Sequence, residues 1–131
     1  SAESDKDLMR ADLYPRAKAE DRTADGIIFG SKRELERYHD LKLLQKAGEI
    51  TALKTHTKFV FIVGPDEGMV VGTYTPDFTY IECASGKVIV EDVKSWKRTP
   101  KTKKLVPRVN REYGIKKKLM KALFDLDVRE V

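Results

Sequence analysis

The chain has 131 residues, 40% hydrophobic and 36% charged, which is enough for one ordinary domain and too few for two. No run of 18 apolar residues occurs, so no membrane-spanning helix is predicted. Cys83 is the single cysteine and the histidines are His39 and His56, which excludes an internal disulfide and argues strongly against a structural zinc site. A lone cysteine is typical of a reducing cytoplasm, where we expect the protein to act.

The net charge of +5 is unevenly distributed along the chain. Between Lys94 and Lys118 there are eleven lysines and arginines and one acidic residue, Glu112. Positive charge concentrated in this way favours a polyanionic partner such as nucleic acid. The alternative is a solvated basic loop that binds nothing.

The sequence of the first half of the chain indicates an N-terminal segment outside the domain, followed by the start of the domain with a long helix. Residues 1–17 are expected to be flexible or to pack on a partner chain, and residues 18–131 to form one domain. Residues 24–26 indicate a turn and residues 27–29 a short strand. The next helix begins at Ser31, which with Glu34 forms a capping box, and it stops at Gly48.

The second half predicts a sheet, a basic loop and a second helix. Strands are expected at about residues 57–63, 73–82 and 87–94, the loop at 95–107, the helix at 108–124 and a closing strand at 127–131. This order indicates an α/β (α+β) fold in which helices flank a mixed central sheet.

Two acidic residues and a lysine fall on the predicted strands around one turn. If the loop is Ala84–Ser85, Asp77 lies opposite Asp92; if it is Ser85–Gly86 with a shift of two, Asp77 lies opposite Lys94. Both registers place the three side chains on one face, because paired residues share a face and side chains alternate. A three-residue loop would move Asp77 to the other face. Two neighbouring carboxylates repel each other, and a divalent cation between them removes that repulsion.

Each of these residues also has a structural interpretation. Pro76-Asp77 is typical of the start of a turn, and Asp92 with Lys94 could be a charged pair on an edge strand. Glu34 falls in the middle of the apolar stripe of the first helix, where a carboxylate needs a partner. That partner is the capping box, a metal site, or both.

Three motifs together resemble the PD-(D/E)xK nuclease superfamily. They are Ser31-x-x-Glu34 on a helix, Pro76-Asp77 on a strand and Asp92-Val93-Lys94 on the next strand. More narrowly, the run from Asp25-Gly26-Ile27 to Ser31-Lys-Arg-Glu34, together with residues 41–50, is similar to a small phage family of endonucleases related to Holliday-junction resolvases. The resemblance covers residues 18–131. The resemblance implies a restriction-endonuclease-like core. Asp92 occupies a place more often held by Glu. The shorter side chain of Asp remains a good ligand but could shift the metal geometry.

The resemblance implies a Mg²⁺-dependent endonuclease, with Mn²⁺ as the alternative metal, that hydrolyses phosphodiester bonds in DNA. Asp77 and Asp92 would ligate the metal together with the carbonyl of Val93. Glu34 would hold a second ion or a bridging water. Lys94 would orient the attacking water and help to deprotonate it.

The same resemblance implies branched or structured DNA as substrate, in phage replication, recombination or packaging, within the host cytoplasm. A homodimer is expected, because resolving a four-way junction needs two symmetric cuts. Trp96 and Tyr113 either stack on bases or pack within the protein. The cations expected to contact DNA are Lys97, Arg98, Lys101, Lys103, Lys104, Arg111, Lys117 and Lys118. The rival interpretation is a non-catalytic nucleic-acid-binding module with structural carboxylates.

Overall fold

A computed structural model describes residues 17–131, so the segment predicted at residues 1–17 lies, apart from Ala17, outside the described residues. The contacts divide the chain into two units, Ser1–Asp40 and Leu41–Val131, and the boundary falls inside one continuous helix. The described part has two α-helices and several small sheets, which confirms the α+β class. No helix within it is long and apolar enough to cross a membrane.

The first unit begins with a tight hairpin. A 3₁₀ turn at Ala19–Arg22 leads into β1 (Thr23–Ala24), which pairs antiparallel with β2 (Ile27–Ile28). The two residues between the strands, Asp25 and Gly26, have φ of 50° and 76°. Asp-Gly suits a two-residue hairpin turn, because both positions require a positive φ.

Helix α1 (Lys32–Lys46) is capped at its start nearly as predicted. The N–H of Glu34 donates to the Ser31 hydroxyl at 3.1 Å. The Glu34 carboxylate, however, accepts from the N–H of Gly30 at 2.9 Å, one residue before the position that a capping box would use. The predicted reach-back bond is therefore displaced by one residue.

The same helix ends in a Schellman motif. Gly48, at φ 81°, donates its N–H to the carbonyl of Gln45 at 3.1 Å, and Glu49 donates to Leu44 at 2.9 Å. The left-handed conformation at this position suits glycine, which has no Cβ to clash. The predicted stop at Gly48 is confirmed.

The second unit is built on a four-stranded sheet in the order β10-β7-β6-β3. The sheet is mixed, as predicted, since β10 runs parallel to β7 while the other neighbours are antiparallel. Its strands are β3 (Ile50–Thr55), β6 (Phe78–Glu82), β7 (Val88–Asp92) and β10 (Val128–Glu130). Residues 83–87 separate β6 from β7, so this connection is longer than the two-residue loops considered above.

Two hairpins lie outside that sheet, and both differ from the strands and the loop predicted from the sequence. The first pairs β4 (Phe59–Val63) with β5 (Met69–Tyr74). The predicted single strand at residues 73–82 is wrong, because the chain leaves β5 and passes through Pro76 before it enters β6. Proline has no N–H to donate to a ladder, so it separates the two strands.

The second hairpin replaces the predicted loop at residues 95–107. It pairs β8 (Trp96–Arg98) antiparallel with β9 (Leu105–Pro107). The proline that ends β9 lies at the edge of a two-stranded ribbon, where a missing N–H is tolerated.

Helix α2 (Arg111–Phe124) covers the core of the second unit. Asn110 caps it by accepting the N–H of Tyr113 at 2.8 Å. The helix buries Tyr113 and Met120. The remaining buried members of this core come from the strands, and they are Phe61, Tyr74, Val90 and Val128.

Met120→Ala is expected to lower the free energy of unfolding by about 2–5 kcal/mol, because its side chain is fully buried and alanine leaves a cavity. Urea denaturation followed by circular dichroism measures the change. Leu123→Ala on the same helix is the matched control, since Leu123 is 37% exposed and its truncation costs less. Equal losses for the two variants would contradict this assignment of the core.

Candidate functional site

The candidate site lies where β7 ends in the second unit. The register pairs Phe78 with Glu91, so one step further along the ladder Asp77 lies opposite Asp92. This confirms the first of the two predicted registers. The carboxylates of Asp77 and Asp92 therefore belong to the same face of the sheet, as the alternation of side chains requires.

Asp92 is buried, and its carboxylate is held by two donors. The Tyr74 hydroxyl donates to Oδ2 at 2.8 Å, and the Lys94 ammonium contacts the same oxygen at 2.8 Å. The side chains of Lys94 and Asp92 are 16% and 12% exposed. Burial, and then the charge of Asp92, raise the pKa of the Tyr74 hydroxyl far above its ordinary value. Tyr74 thus remains a hydrogen-bond donor to Asp92 across the working pH range.

Lys94 is held from a second side by an aromatic ring. Its ammonium lies 3.6 Å from the centroid of the Tyr113 ring, which is a cation–π contact. The Tyr113 hydroxyl donates to Glu130 at 3.0 Å, and Lys117 pairs with the same Glu130 oxygen at 2.9 Å. Burial and the hydrogen bond to Glu130 raise the pKa of Tyr113, so it stays protonated. Of the two interpretations of Tyr113, packing within the protein is the one observed.

Asp77 precedes β6 and forms hydrogen bonds with residues at the ends of both neighbouring strands, β7 and β3. Its Oδ2 accepts the N–H of Val93 at 2.7 Å, which fixes the carboxylate beside the end of β7. Its backbone carbonyl accepts the N–H of His56 at 3.1 Å. A ring nitrogen of His56 and a carboxylate oxygen of Asp77 lie within 4.8 Å of each other, close enough to share one metal ion. From the sequence, His56 precedes a predicted strand and is either a surface residue or a residue that flanks the site.

Glu91 faces the other side of the sheet from Asp92, because the side chains of neighbouring residues alternate along β7. It is fully buried, and the Tyr80 hydroxyl donates to its carboxylate. Arg129 donates to that same hydroxyl at 3.4 Å. Glu91 is therefore satisfied by a structural network apart from Asp92.

Glu34 belongs to the first unit, where it is 5% exposed. Its bond from the N–H of Gly30 supplies a partner of the kind that a carboxylate in an apolar stripe requires. That contact agrees with the capping interpretation and leaves the metal role of Glu34 as a prediction.

The predicted DNA-binding cations fall on two elements of the second unit. All except one are exposed, and five lie on the β8–β9 hairpin instead of a loop. The exception is Lys117, whose charge is balanced by Glu130. The exposed members are Lys97, Arg98, Lys101, Lys103 and Lys104 on the hairpin, and Arg111 and Lys118 on α2.

Sequence reasoning missed Tyr74 and Glu130 as members of this site. Tyr74 comes from β5, outside the central sheet, and no spacing in the chain relates it to Asp92. Glu130 pairs in register with Asp92 because β10 lies parallel to β7. The one available signal was a charged residue in a predicted closing strand, which does not specify a neighbour.

Fold and site define a mixed α+β protein that brings two carboxylates and a lysine together at the end of a central strand. Residues 15–127 match the model of a family described as "Protein of unknown function (DUF1064)", and the chain belongs to that family. No curated protein and no solved structure matches the chain.

Proposed function

We propose that this protein is a metal-dependent endonuclease that hydrolyses phosphodiester bonds in DNA, with a core of the PD-(D/E)xK kind. The observation that carries the proposal is the convergence of Asp77, Asp92 and Lys94. Asp77 reaches the backbone N–H next to Asp92, and Lys94 contacts the Asp92 carboxylate. Paired carboxylates with an ammonium beside them suit the hydrolysis of a phosphate ester.

The donor atoms at the site fit a hard divalent cation such as Mg²⁺ or Mn²⁺. Both hydrogen bonds to Asp92 fall on Oδ2, so Oδ1 is the oxygen that would ligate. Asp77 and the carbonyl of Val93 supply further oxygens, and His56 offers a nitrogen near Asp77. When bound, the ion supplies Lewis acidity: it lowers the pKa of water and stabilises charge on the phosphate.

Lys94 is proposed as the residue that orients the attacking water and stabilises negative charge on the phosphate. Its ammonium is held between the Asp92 carboxylate and the Tyr113 ring. A lysine side chain is otherwise free to rotate, so this confinement gives it a defined position relative to the reacting group. Tyr74 and Tyr113 act as positioning residues.

The family resemblance extends the proposal to substrate and setting. It favours branched or structured DNA, processed during phage replication, recombination or packaging in the host cytoplasm. It also favours a homodimer, since two symmetric cuts resolve a four-way junction. It assigns Glu34 to a second ion or a bridging water.

The rival candidate is a non-catalytic nucleic-acid-binding module. It is favoured by the short contact between Lys94 and Asp92, which balances a buried charge without any metal. In that module the same three residues would hold the end of β7 together and would perform no chemistry.

Cleavage of a labelled four-way junction, compared with a linear duplex of matched sequence, tests the proposal. We expect cleavage with Mg²⁺ or Mn²⁺ and none with EDTA, because the two carboxylates need a cation to act on the phosphate. The junction should be cut faster than the duplex. Binding of several DNA forms without cleavage of any would contradict the enzyme and support the binding module.

A further inference from the structure

The β8–β9 hairpin is longer than its two named strands. The N–H of Arg108 donates to the carbonyl of Ser95 at 2.7 Å, and the N–H of Thr99 donates to Lys104 at 2.9 Å. These bonds continue the register that pairs Trp96 with Pro107. The hairpin is therefore a paired ribbon from residue 95 to 99 and back from 104 to 108.

Alternation of side chains gives this ribbon two different faces. Residues paired across an antiparallel ladder share a face, and every second rung lies on the same side. Lys104, Lys97 and Arg108 belong to three alternate rungs and so share one face, which we call the basic face. All three side chains are exposed. Their rungs are spaced by about 6.6–6.8 Å, the rise of two residues in a strand.

Hydrogen bonds hold the opposite face and the tip of the ribbon in place. The indole N–H of Trp96 donates to the carbonyl of Val131 at 3.4 Å. Arg98 donates to the carbonyl of Lys103 at 2.9 Å, and the Thr99 and Thr102 hydroxyls are hydrogen-bonded to each other. The ribbon thus presents its basic face in a shape that exists before any partner binds.

We propose that the basic face binds the phosphate backbone of double-stranded DNA without regard to sequence. Successive phosphates of one strand rise about 3.4 Å along the axis and also rotate about it, which separates them by roughly 7 Å, so a rung spacing of about 6.7 Å matches consecutive phosphates. No acidic residue occurs from Ser95 to Asn110 to oppose the contact. Single strands are held mainly on stacking aromatic rings, and the one aromatic side chain of the ribbon, Trp96, is on the other face.

This inference rests on the proposed function. It adds that the β8–β9 ribbon is the part of the chain that holds the DNA substrate. The ribbon begins at Ser95, directly after Lys94. A duplex held by Lys97 and Arg108 would therefore lie beside the residue that acts on the phosphate. Backbone contacts of this kind position DNA and leave its sequence unread.

Salt-dependent binding of the full chain to a 20-base-pair duplex in EDTA tests the proposal. The test variant is Lys97→Ala/Lys104→Ala, and the matched control is Lys46→Ala/Lys87→Ala, which removes the same charge from exposed positions elsewhere. We expect the slope of log K against log salt to become shallower by about 1.8 in the test variant, since each lost phosphate contact contributes about 0.9. The control should keep the wild-type slope.

An unchanged slope in the test variant, an equal loss in the control, or tighter binding of a single strand of the same sequence would each overturn the proposal. Thermal unfolding checks that the variants are folded, and Lys97→Gln/Lys104→Gln repeats the test with longer side chains. Because EDTA prevents metal-dependent cleavage, the result does not depend on catalysis. A protein that never cuts DNA would still show the slope change if the ribbon binds duplex.

Discussion

Asp92→Asn is expected to reduce metal-dependent DNA cleavage by at least about 10³-fold, since the cation at such a site supplies several kcal/mol of transition-state stabilisation. Asparagine keeps the size of the side chain and an oxygen that can accept from Tyr74. It removes the negative charge that would hold the cation and that now pairs with Lys94. Cleavage of the junction under single-turnover conditions measures the loss, and DNA binding in EDTA should stay near the wild-type level.

Glu91→Gln is the matched control on the same strand. Glu91 faces away from the site, and glutamine can still accept from Tyr80. Cleavage should therefore be retained, while the melting temperature changes because the site is fully buried. If Asp92→Asn cuts at the wild-type rate, or if both variants lose cleavage together without unfolding, the assignment of Asp92 as a metal ligand fails.

Lys94→Met is expected to reduce cleavage by about 10²–10⁴-fold, the range over which a positioned acid–base group contributes to a reaction. Methionine can keep an apolar contact with the Tyr113 ring, so the fold should persist. The ammonium, which contacts the Asp92 carboxylate at 2.8 Å, is lost. The rate should stay low at saturating Mg²⁺, because the ion replaces the charge balance at Asp92 but not the group that orients water.

Lys87→Met is the control for this variant, since Lys87 is exposed and precedes the opposite end of β7. It should cleave at the wild-type rate. Titration with Mn²⁺ as a paramagnetic probe separates a catalytic role from a structural one, because Lys94→Met should still bind the ion. Wild-type cleavage by Lys94→Met would remove it from the mechanism.

Features that depend on neighbouring residues in the chain could be predicted without the structure. The start and stop of α1 follow from Ser31 and Gly48, whose contacts reach only a few residues along the chain. The shared face of Asp77 and Asp92 follows from the period of a strand and the register of one hairpin. The displaced Glu34 bond shows the limit even here, because a one-residue shift in a cap changes the partner without changing the motif.

Features that depend on distant pairings were decided by the tertiary structure. β3 has a register shift between Thr51 and Lys54, so no simple alternation marks it as the fourth strand of the sheet. The basic segment after Lys94 became a ribbon because β8 and β9 bond to each other, whereas its prolines alone favour a loop. Tyr74 and Glu130 reach the site from β5 and β10, which lie far from Asp92 in sequence.

The local sequence pattern thus determined which side chains share a face of the sheet, and tertiary packing determined which other residues contact them. A turn or a cap involves a few adjacent residues, and the conformational preferences of those residue types determine it. The parallel pairing of β10 with β7 and the contact of Tyr113 with Lys94 join segments that meet only when the whole core forms. Their positions depend on the summed burial of many side chains, which no single motif encodes.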